Sequence, residues 1–140
     1  MLESMGKALG IDYGSKRIGI ALSDEDRKFA FPKEIVANGS DVVNKVTVLV
    51  REEGVTDIVV GESIDFAGND NPIMEQAREF VGLLEQAAGA RVIFEPEILT
   101  SAQARRQFQT KEKTRKPQTR ETVDASAAAL ILQTYLDKQA

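Results

Sequence analysis

Residues 7–22 read KALGIDYGSKRIGIAL, in which an apolar run ends at Asp12, a polar turn follows and a second apolar run continues to Leu22. The second run nearly alternates in polarity, and Gly14 and Ser15 are typical turn residues, so the pattern predicts a β-hairpin. Its first strand ends in a carboxylate. A lone carboxylate is costly to bury, and it therefore needs a cation, a hydrogen-bond donor or water. Asp12 is accordingly the first candidate for a functional residue.

Two further acids, Glu97 and Asp124, end or interrupt apolar segments elsewhere in the chain. If the fold brings Asp12, Glu97 and Asp124 together, their oxygens are suited to Mg²⁺ or Mn²⁺. Asp12 has an alternative role as a turn carboxylate that accepts hydrogen bonds from the Gly14 or Ser15 amides. Asp124 has an alternative role as a first-turn acid that the helix dipole favours.

The composition excludes several kinds of catalytic site. The 140 residues contain no cysteine and no histidine, so a thiolate zinc site, a cysteine nucleophile and a Ser–His–Asp triad are all excluded. No segment approaches the roughly 20 apolar residues of a membrane span, and residues 1–5 carry no signal-peptide pattern. We therefore expect one cytoplasmic domain over residues 1–140, with residues 1–5 disordered. Its chemistry must rest on carboxylates, Lys, Tyr, hydroxyls or a metal.

The net charge of −4 conceals a basic segment. Residues 105–120 contain seven basic residues and one acid, so the rest of the chain carries a net charge of −10. Because local charge attracts phosphates more than total charge does, this segment predicts contact with nucleic acid. Residues 109–119 contain Pro117 and no other apolar residue, which predicts a mobile loop. A solvated linker is the alternative. The candidate nucleic-acid-binding residues of this segment are Arg105, Arg106, Lys113, Arg115 and Lys116.

The rest of the pattern predicts the order β-β-β-α-β-α-β-α, with a further short helix before the last one. Ser40 is the expected N-cap of the first helix, and Gly54 is its expected stop. The order favours an α/β fold with a five-stranded mixed sheet, three strands antiparallel and then two parallel, flanked by helices. The expected strands are 6–13, 17–23, 27–36, 57–61 and 91–95; the expected helices are 40–53, 72–88, 100–108 and 121–136.

Two motifs resemble those of one protein family. Residues 10–21, GIDYGSKRIGIA, and residues 123–133, VDASAAALILQ, are similar to the opening motif and the closing helix of the YqgF/RuvX family. These are Holliday-junction-resolvase-like nucleases associated with pre-16S rRNA. Residues 59–61, followed by a loop that contains Gly68, match a second family motif, and Glu97 with residues 99–104 matches a third in part. The resemblance covers residues 7–137, and it implies a ribonuclease-H-like fold.

The resemblance implies a metal-dependent endonuclease. It identifies Asp12, Glu97 and Asp124 as catalytic residues and as ligands of Mg²⁺ or Mn²⁺, which activate water in nucleases of this kind. It implies that the substrate is the 5′ end of precursor 16S rRNA, with a branched DNA junction as the alternative. Lys16 and Arg17, at the hairpin turn, are candidates for phosphate contact or simply form a solvated turn. An rRNA 5′-end nuclease can act as a monomer, whereas a junction resolvase requires a homodimer.

The chain departs from the family pattern beside this site. The family usually has Asp-Glu-Arg where this chain has Pro96-Glu97-Ile98, and Leu-Pro where it has Glu62-Ser63. The departures motivate two further hypotheses. The chain is a non-catalytic nucleic-acid-binding factor of ribosome assembly, or Glu62 or Asp65 joins the metal site. A nucleotide-binding module is a further alternative, because residues 12–15 also resemble the phosphate loop of actin-like and sugar-kinase ATPases.

Overall fold

Five strands form one mixed sheet in the computed structural model. The structure describes residues 6–63, 73–97 and 120–139, and of residues 63, 97 and 120–126 it describes only the backbone. The sheet order is β3-β2-β1-β4-β5. β1, β2 and β3 are antiparallel, and β4 and β5 run parallel to β1. The predicted α/β class and mixed topology are therefore confirmed. The strands are β1 (Lys7–Tyr13), β2 (Arg17–Ser23), β3 (Ala30–Ala37), β4 (Val55–Ser63) and β5 (Arg91–Glu97); the helices are α1 (Val42–Glu53), α2 (Ile73–Ala88) and α3 (Arg120–Gln139).

The sheet separates two apolar cores. Leu9 and Ile11 of β1 lie in the core that α1 and α2 complete. Ala8 lies in a second core, on the other face, together with Ala128 and Leu132 of α3. This division follows from the alternation of side chains along a strand. Every odd position of β1 therefore faces α1 and α2, and every even position faces α3.

Several element boundaries differ from the predicted ones. β4 and β5 are longer than predicted, because Glu62 pairs with Pro96 and Ser63 pairs with Glu97. β5 is at the edge of the sheet, where proline is tolerated. β3 spans Ala30–Ala37 instead of the predicted 27–36, and it passes through Pro32 with a shift in register between Ile20 and Ala21 on the partner strand β2. The predicted disorder of residues 1–5, the helix at 100–108 and the loop at 109–119 lie outside the described residues.

The ends of α1 follow the prediction at one terminus only. The helix begins at Val42 with Asp41 as its N-cap, so the predicted cap at Ser40 is wrong by one residue. At the other end, Gly54 adopts φ 67° and ψ 40°, and its N–H donates to the carbonyl of Val50. This left-handed conformation favours glycine and ends the helix. Among the described residues, no helix has the length and apolarity that crossing a membrane requires.

Gly10 allows α3 to approach the centre of the sheet. A Cβ atom at Gly10 would lie 2.8 Å from the carbonyl oxygen of Ala128 and 2.8 Å from Cβ of Leu132. Both distances are shorter than a normal contact, and one of the atoms is backbone, so a side chain at this position would push α3 away from β1.

Gly10→Ala should lower the free energy of unfolding by about 1–3 kcal/mol, the usual cost of overpacking a core. The matched control is Gly82→Ala on α2, where an added Cβ would meet nothing within 4 Å. We expect the control to be neutral or stabilising, because alanine is the better helix former. Urea denaturation followed by circular dichroism measures both variants, and equal effects would contradict the close approach.

Candidate active site

The carboxyl ends of β1, β4 and β5 meet at one edge of the sheet. The register pairs Val60 of β4 with Ile11 of β1 and with Phe94 of β5. Asp12 directly follows Ile11, and Glu97 is the last residue of β5. Two of the three predicted acids therefore lie where their strands end, on strands that only β4 separates.

Asp12 and Glu97 also lie on the same face of the sheet. Asp12 lies four residues after Ala8, and Glu97 lies four residues after Ile93. Positions an even number of residues apart in a strand share a face of the sheet. Ala8 and Ile93 both pack in the core that α3 completes. The register thus places both acidic positions on the α3 side.

Helix α3 carries the third acid toward the same edge. Ala128 lies against Gly10, near the middle of β1. Five residues later, the side chain of Gln133 accepts a hydrogen bond of 2.9 Å from the N–H of Ala30, which is level with the start of β1. α3 therefore runs from the carboxyl end of β1 toward its start. Asp124, about one turn before Ala128, is correspondingly closer to the carboxyl edge.

The backbone thus places Asp12, Glu97 and Asp124 on one face at one edge. Three carboxylates provide an all-oxygen donor set, which fits the hard cations Mg²⁺ and Mn²⁺. Among the side chains that the structure describes, no three acids form a group that could hold a metal ion. The Glu97 and Asp124 side chains lie outside that set, so the predicted triad stays a prediction.

The turn after Asp12 has a tightly constrained backbone. A Cβ atom at Gly14 would lie 2.5 Å from the carbonyl oxygen of Arg17, so glycine is required there. The side-chain amide of Asn38 donates to the carbonyl of Gly14 at 2.8 Å, and the Asn38 N–H donates to the carbonyl of Lys16 at 2.9 Å. Lys16 is exposed and Arg17 is half-buried. Both cations therefore lie at a well-defined turn next to the first acid, and their contact with phosphate stays a prediction.

Two buried acids that the sequence did not single out have cationic partners. Asp57 accepts hydrogen bonds from Arg27 at 2.7 Å and from Arg91 at 3.1 Å. The hydrogen bond and charge of Asp57 raise the pKa of Arg91. Glu95 pairs with Lys138 near the end of α3. Each acid interrupts the apolar residues of a strand, and that was the signal that could have identified it.

The other candidates lie elsewhere or outside the described residues. Glu62 lies two residues after Val60 and therefore shares its face of the sheet. Val60 packs in the α1 and α2 core, so the position of Glu62 is on the opposite face from Asp12. This placement argues against Glu62 as a ligand of the same ion. The candidates that lie outside the described residues are Asp65, Arg105, Arg106, Lys113, Arg115 and Lys116.

Nearly the whole chain matches a family model. That model, RuvX, is described as Holliday junction resolvase and matches residues 6–138. The chain belongs to the RuvX family. Two relatives, from Sulfurihydrogenibium sp. (strain YO3AOP1) and Endomicrobium trichonymphae, are each named "Putative pre-16S rRNA nuclease". Each is 35% identical over 137 residues, which cover 96% of this chain and 92% and 98% of the respective relatives.

Solved structures agree with the RuvX assignment at the level of the fold. RuvC of T. thermophilus, in complex with a Holliday junction substrate, superposes with a TM-score of 0.59 at 16% identity and covers 96% of this chain and 95% of its own. The fowlpox virus resolvase, in complex with Holliday junction DNA, gives 0.56 at 8% identity and covers 95% and 98%. The predicted ribonuclease-H-like fold is therefore confirmed.

Replacing Asp57 tests whether this acid serves to stabilise the fold. Asp57→Ala should lower the free energy of unfolding by about 2–3 kcal/mol, because it leaves the largely buried side chain of Arg27 without its anion. Asp26→Asn, at an exposed position in the turn before β3, is the control and should change stability by less than about 0.5 kcal/mol. Thermal and urea unfolding measure both. A small effect at Asp57 would show that the ion pair contributes little.

Proposed function

We propose that this protein is a divalent-metal-dependent endonuclease that processes the 5′ end of precursor 16S rRNA. The observation that supports the proposal is the strand register together with the direction of α3, from which we infer that the backbone positions of Asp12, Glu97 and Asp124 approach one edge of the sheet. Membership of the RuvX family and the names of its relatives support the same reading.

The three carboxylates are the residues that would hold the metal. When bound, Mg²⁺ or Mn²⁺ activates water and stabilises the leaving oxygen of a phosphodiester. Asp12 is supported on both sides, because β1 pairs with β2 and β4. Lys16 and Arg17 would orient the substrate by contacting a phosphate. The chain has no histidine, and we assign the acceptance of a proton from water to a carboxylate at this edge.

A Holliday junction is the second candidate substrate. The family model is described as Holliday junction resolvase, and RuvC is bound to such a junction. Two symmetric cuts require a homodimer, whereas one cut near an RNA end does not. Outside residues 105–120 the chain carries a net charge of −10. A small acidic domain offers little basic surface for holding the four arms of a junction. We therefore favour the RNA substrate.

Asp12→Asn should reduce metal-dependent cleavage of a precursor 16S leader RNA by about 10³-fold or more, a loss of about 4 kcal/mol of transition-state stabilisation. We expect similar losses for Glu97→Gln and Asp124→Asn. Gel assays with Mg²⁺ or Mn²⁺ measure the rate on the leader RNA and on a four-way DNA junction, with Asp26→Asn as the control. Calorimetric titration with Mn²⁺, without RNA, should show binding to the wild type and weaker binding to all three variants.

The outcomes separate the candidate functions. RNA cleavage that Asp12→Asn abolishes supports the proposal, and junction cleavage alone supports the resolvase function. RNA binding by wild type and Asp12→Asn alike, with no cleavage of either substrate, would instead establish a non-catalytic ribosome-assembly factor.

Neutralising Lys113, Arg115 and Lys116 to Gln should weaken RNA binding and flatten its salt dependence. Three phosphate contacts to a single strand predict that the slope of log affinity against log salt becomes shallower by about 2. The matched control replaces Lys28, Lys33 and Lys45, three exposed lysines near β3 and α1, with Gln. Affinity measured across a salt series tests the prediction, and identical slopes for the two triple variants would contradict a role for the basic segment.

A further inference from the structure

A cavity lies beside the carboxyl end of β1, on the face opposite Asp12. Its volume is about 290 Å³, close to the lower limit of small-ligand sites. The end of β1, the start of α1 and one side of α2 surround it. The lining side chains that matter here are Tyr13, Asn38, Gln76, Glu79, Phe80 and Leu83.

The cavity has an aromatic and apolar wall. The ring centroid of Tyr13 lies 5.2 Å from that of Phe80, with the rings tilted by 41°. Phe80 is buried in the core, so it packs against the ring of Tyr13 on the core side. Leu83 is 53% exposed at the same cavity, whereas its helical neighbour Leu84 is fully buried. An aromatic ring and an exposed leucine beside an open cavity suit the flat face of a nucleobase.

Polar groups in the cavity match the edge of a base. The hydrogen bond from Asn38 to the carbonyl of Gly14 holds this side chain in place. Gln76 and Glu79 are exposed and three residues apart, so they are neighbours on one face of α2. The Glu79 carboxylate can accept two N–H bonds. Guanine is the RNA base that presents two N–H groups side by side on its Watson–Crick edge, and this edge is free in unpaired RNA.

The cavity is adjacent to the proposed cleavage site. Tyr13 directly follows Asp12 in β1, and alternation places the two on opposite faces of the same strand end. An RNA strand that crosses this edge can place one phosphate at Asp12 and a neighbouring base against Tyr13. Asn38 connects the two places, because it lines the cavity and also braces the turn that follows Asp12.

We propose that this cavity binds one unpaired guanine of the RNA substrate, within about two nucleotides of the cleaved bond. This inference rests on the proposed function, because it assumes that RNA is the substrate. It adds a source of base preference that metal-bound carboxylates, which act on the phosphate, do not supply.

Glu79→Gln is the central variant, because it removes the double acceptor at an exposed position. Its matched control is Glu85→Gln, which makes the same charge change at an exposed position of α2 outside the cavity. Tyr13→Leu, which removes the aromatic ring, is the second variant. Cleavage of a leader RNA library with randomised unpaired bases, followed by sequencing of the products, gives the base preference at each position near the cut. In a separate measurement, Asp12→Asn protein is photo-crosslinked to RNA that contains 6-thioguanosine, and mass spectrometry identifies the crosslinked peptide.

We expect the wild type to prefer guanine at one position near the cut. Glu79→Gln should lower that preference roughly fivefold, Glu85→Gln should leave it unchanged, and Tyr13→Leu should weaken binding of guanine-containing RNA roughly fivefold, as expected for loss of a base-stacking ring. The crosslink should fall on Tyr13 or on α2. Cleavage with the same preference in Glu79→Gln and Glu85→Gln, or crosslinks only elsewhere, would overturn the cavity proposal and leave the nuclease intact. A crosslink at Tyr13 without any cleavage by the wild type would support the cavity and refute the nuclease.

Discussion

The close packing of α3 against β1 at Gly10 is the constraint on which the site depends. With no side chain at Gly10, the backbone of α3 approaches the central strand at Ala128. Asp124 lies about one turn before Ala128, and Asp12 lies two residues after Gly10. Any spacer between helix and strand would separate these two acids by a similar distance. Mg²⁺ binds its ligands at about 2.1 Å with little tolerance, so the small residues of this interface are as necessary to the proposed site as the acids themselves.

Carboxylates in this sheet have different surroundings and serve different purposes. Near the start of β4, Asp57 receives hydrogen bonds from two guanidinium groups, and such an acid serves to join strands and turns. Glu95 lies two residues before Glu97, and it has Lys138 as its partner, so it helps to fix the end of α3 on β5. The acids proposed for metal binding lie instead where β1 and β5 end and where α3 begins. Ends of elements suit such ligands, because a cation and a substrate can reach them from solvent.

Features set by neighbouring residues could be predicted from the sequence, whereas features set by contacts between distant residues were missed. The hairpin of β1 and β2 follows from alternation and from a turn that contains Gly14, so it is found where predicted. The true ends of β4 and β5 escaped prediction because each strand extends by pairing with the other. The roles of Asp57 and Glu95 were missed because their partners Arg27 and Lys138 are 30 and 43 residues away. Asp12, Glu97 and Asp124 were predicted with the help of family motifs, and their joint role stays a prediction.

The register also bears on the departure from the family pattern at position 96. Pro96 lies two residues after Phe94 and shares its face of the sheet, and Phe94 packs against the α1 and α2 core. The position of Glu97 is on the α3 face. The acid that the family usually has at position 96 would therefore lie on the opposite face from the proposed metal ligands, and its replacement removes no donor from them. Pro96 pairs directly with Glu62, where the family usually has leucine. Glu62 and Pro96 thus lie at the same level of the sheet, on the face opposite the proposed ligands, and position 96 gives no structural reason for lost catalysis.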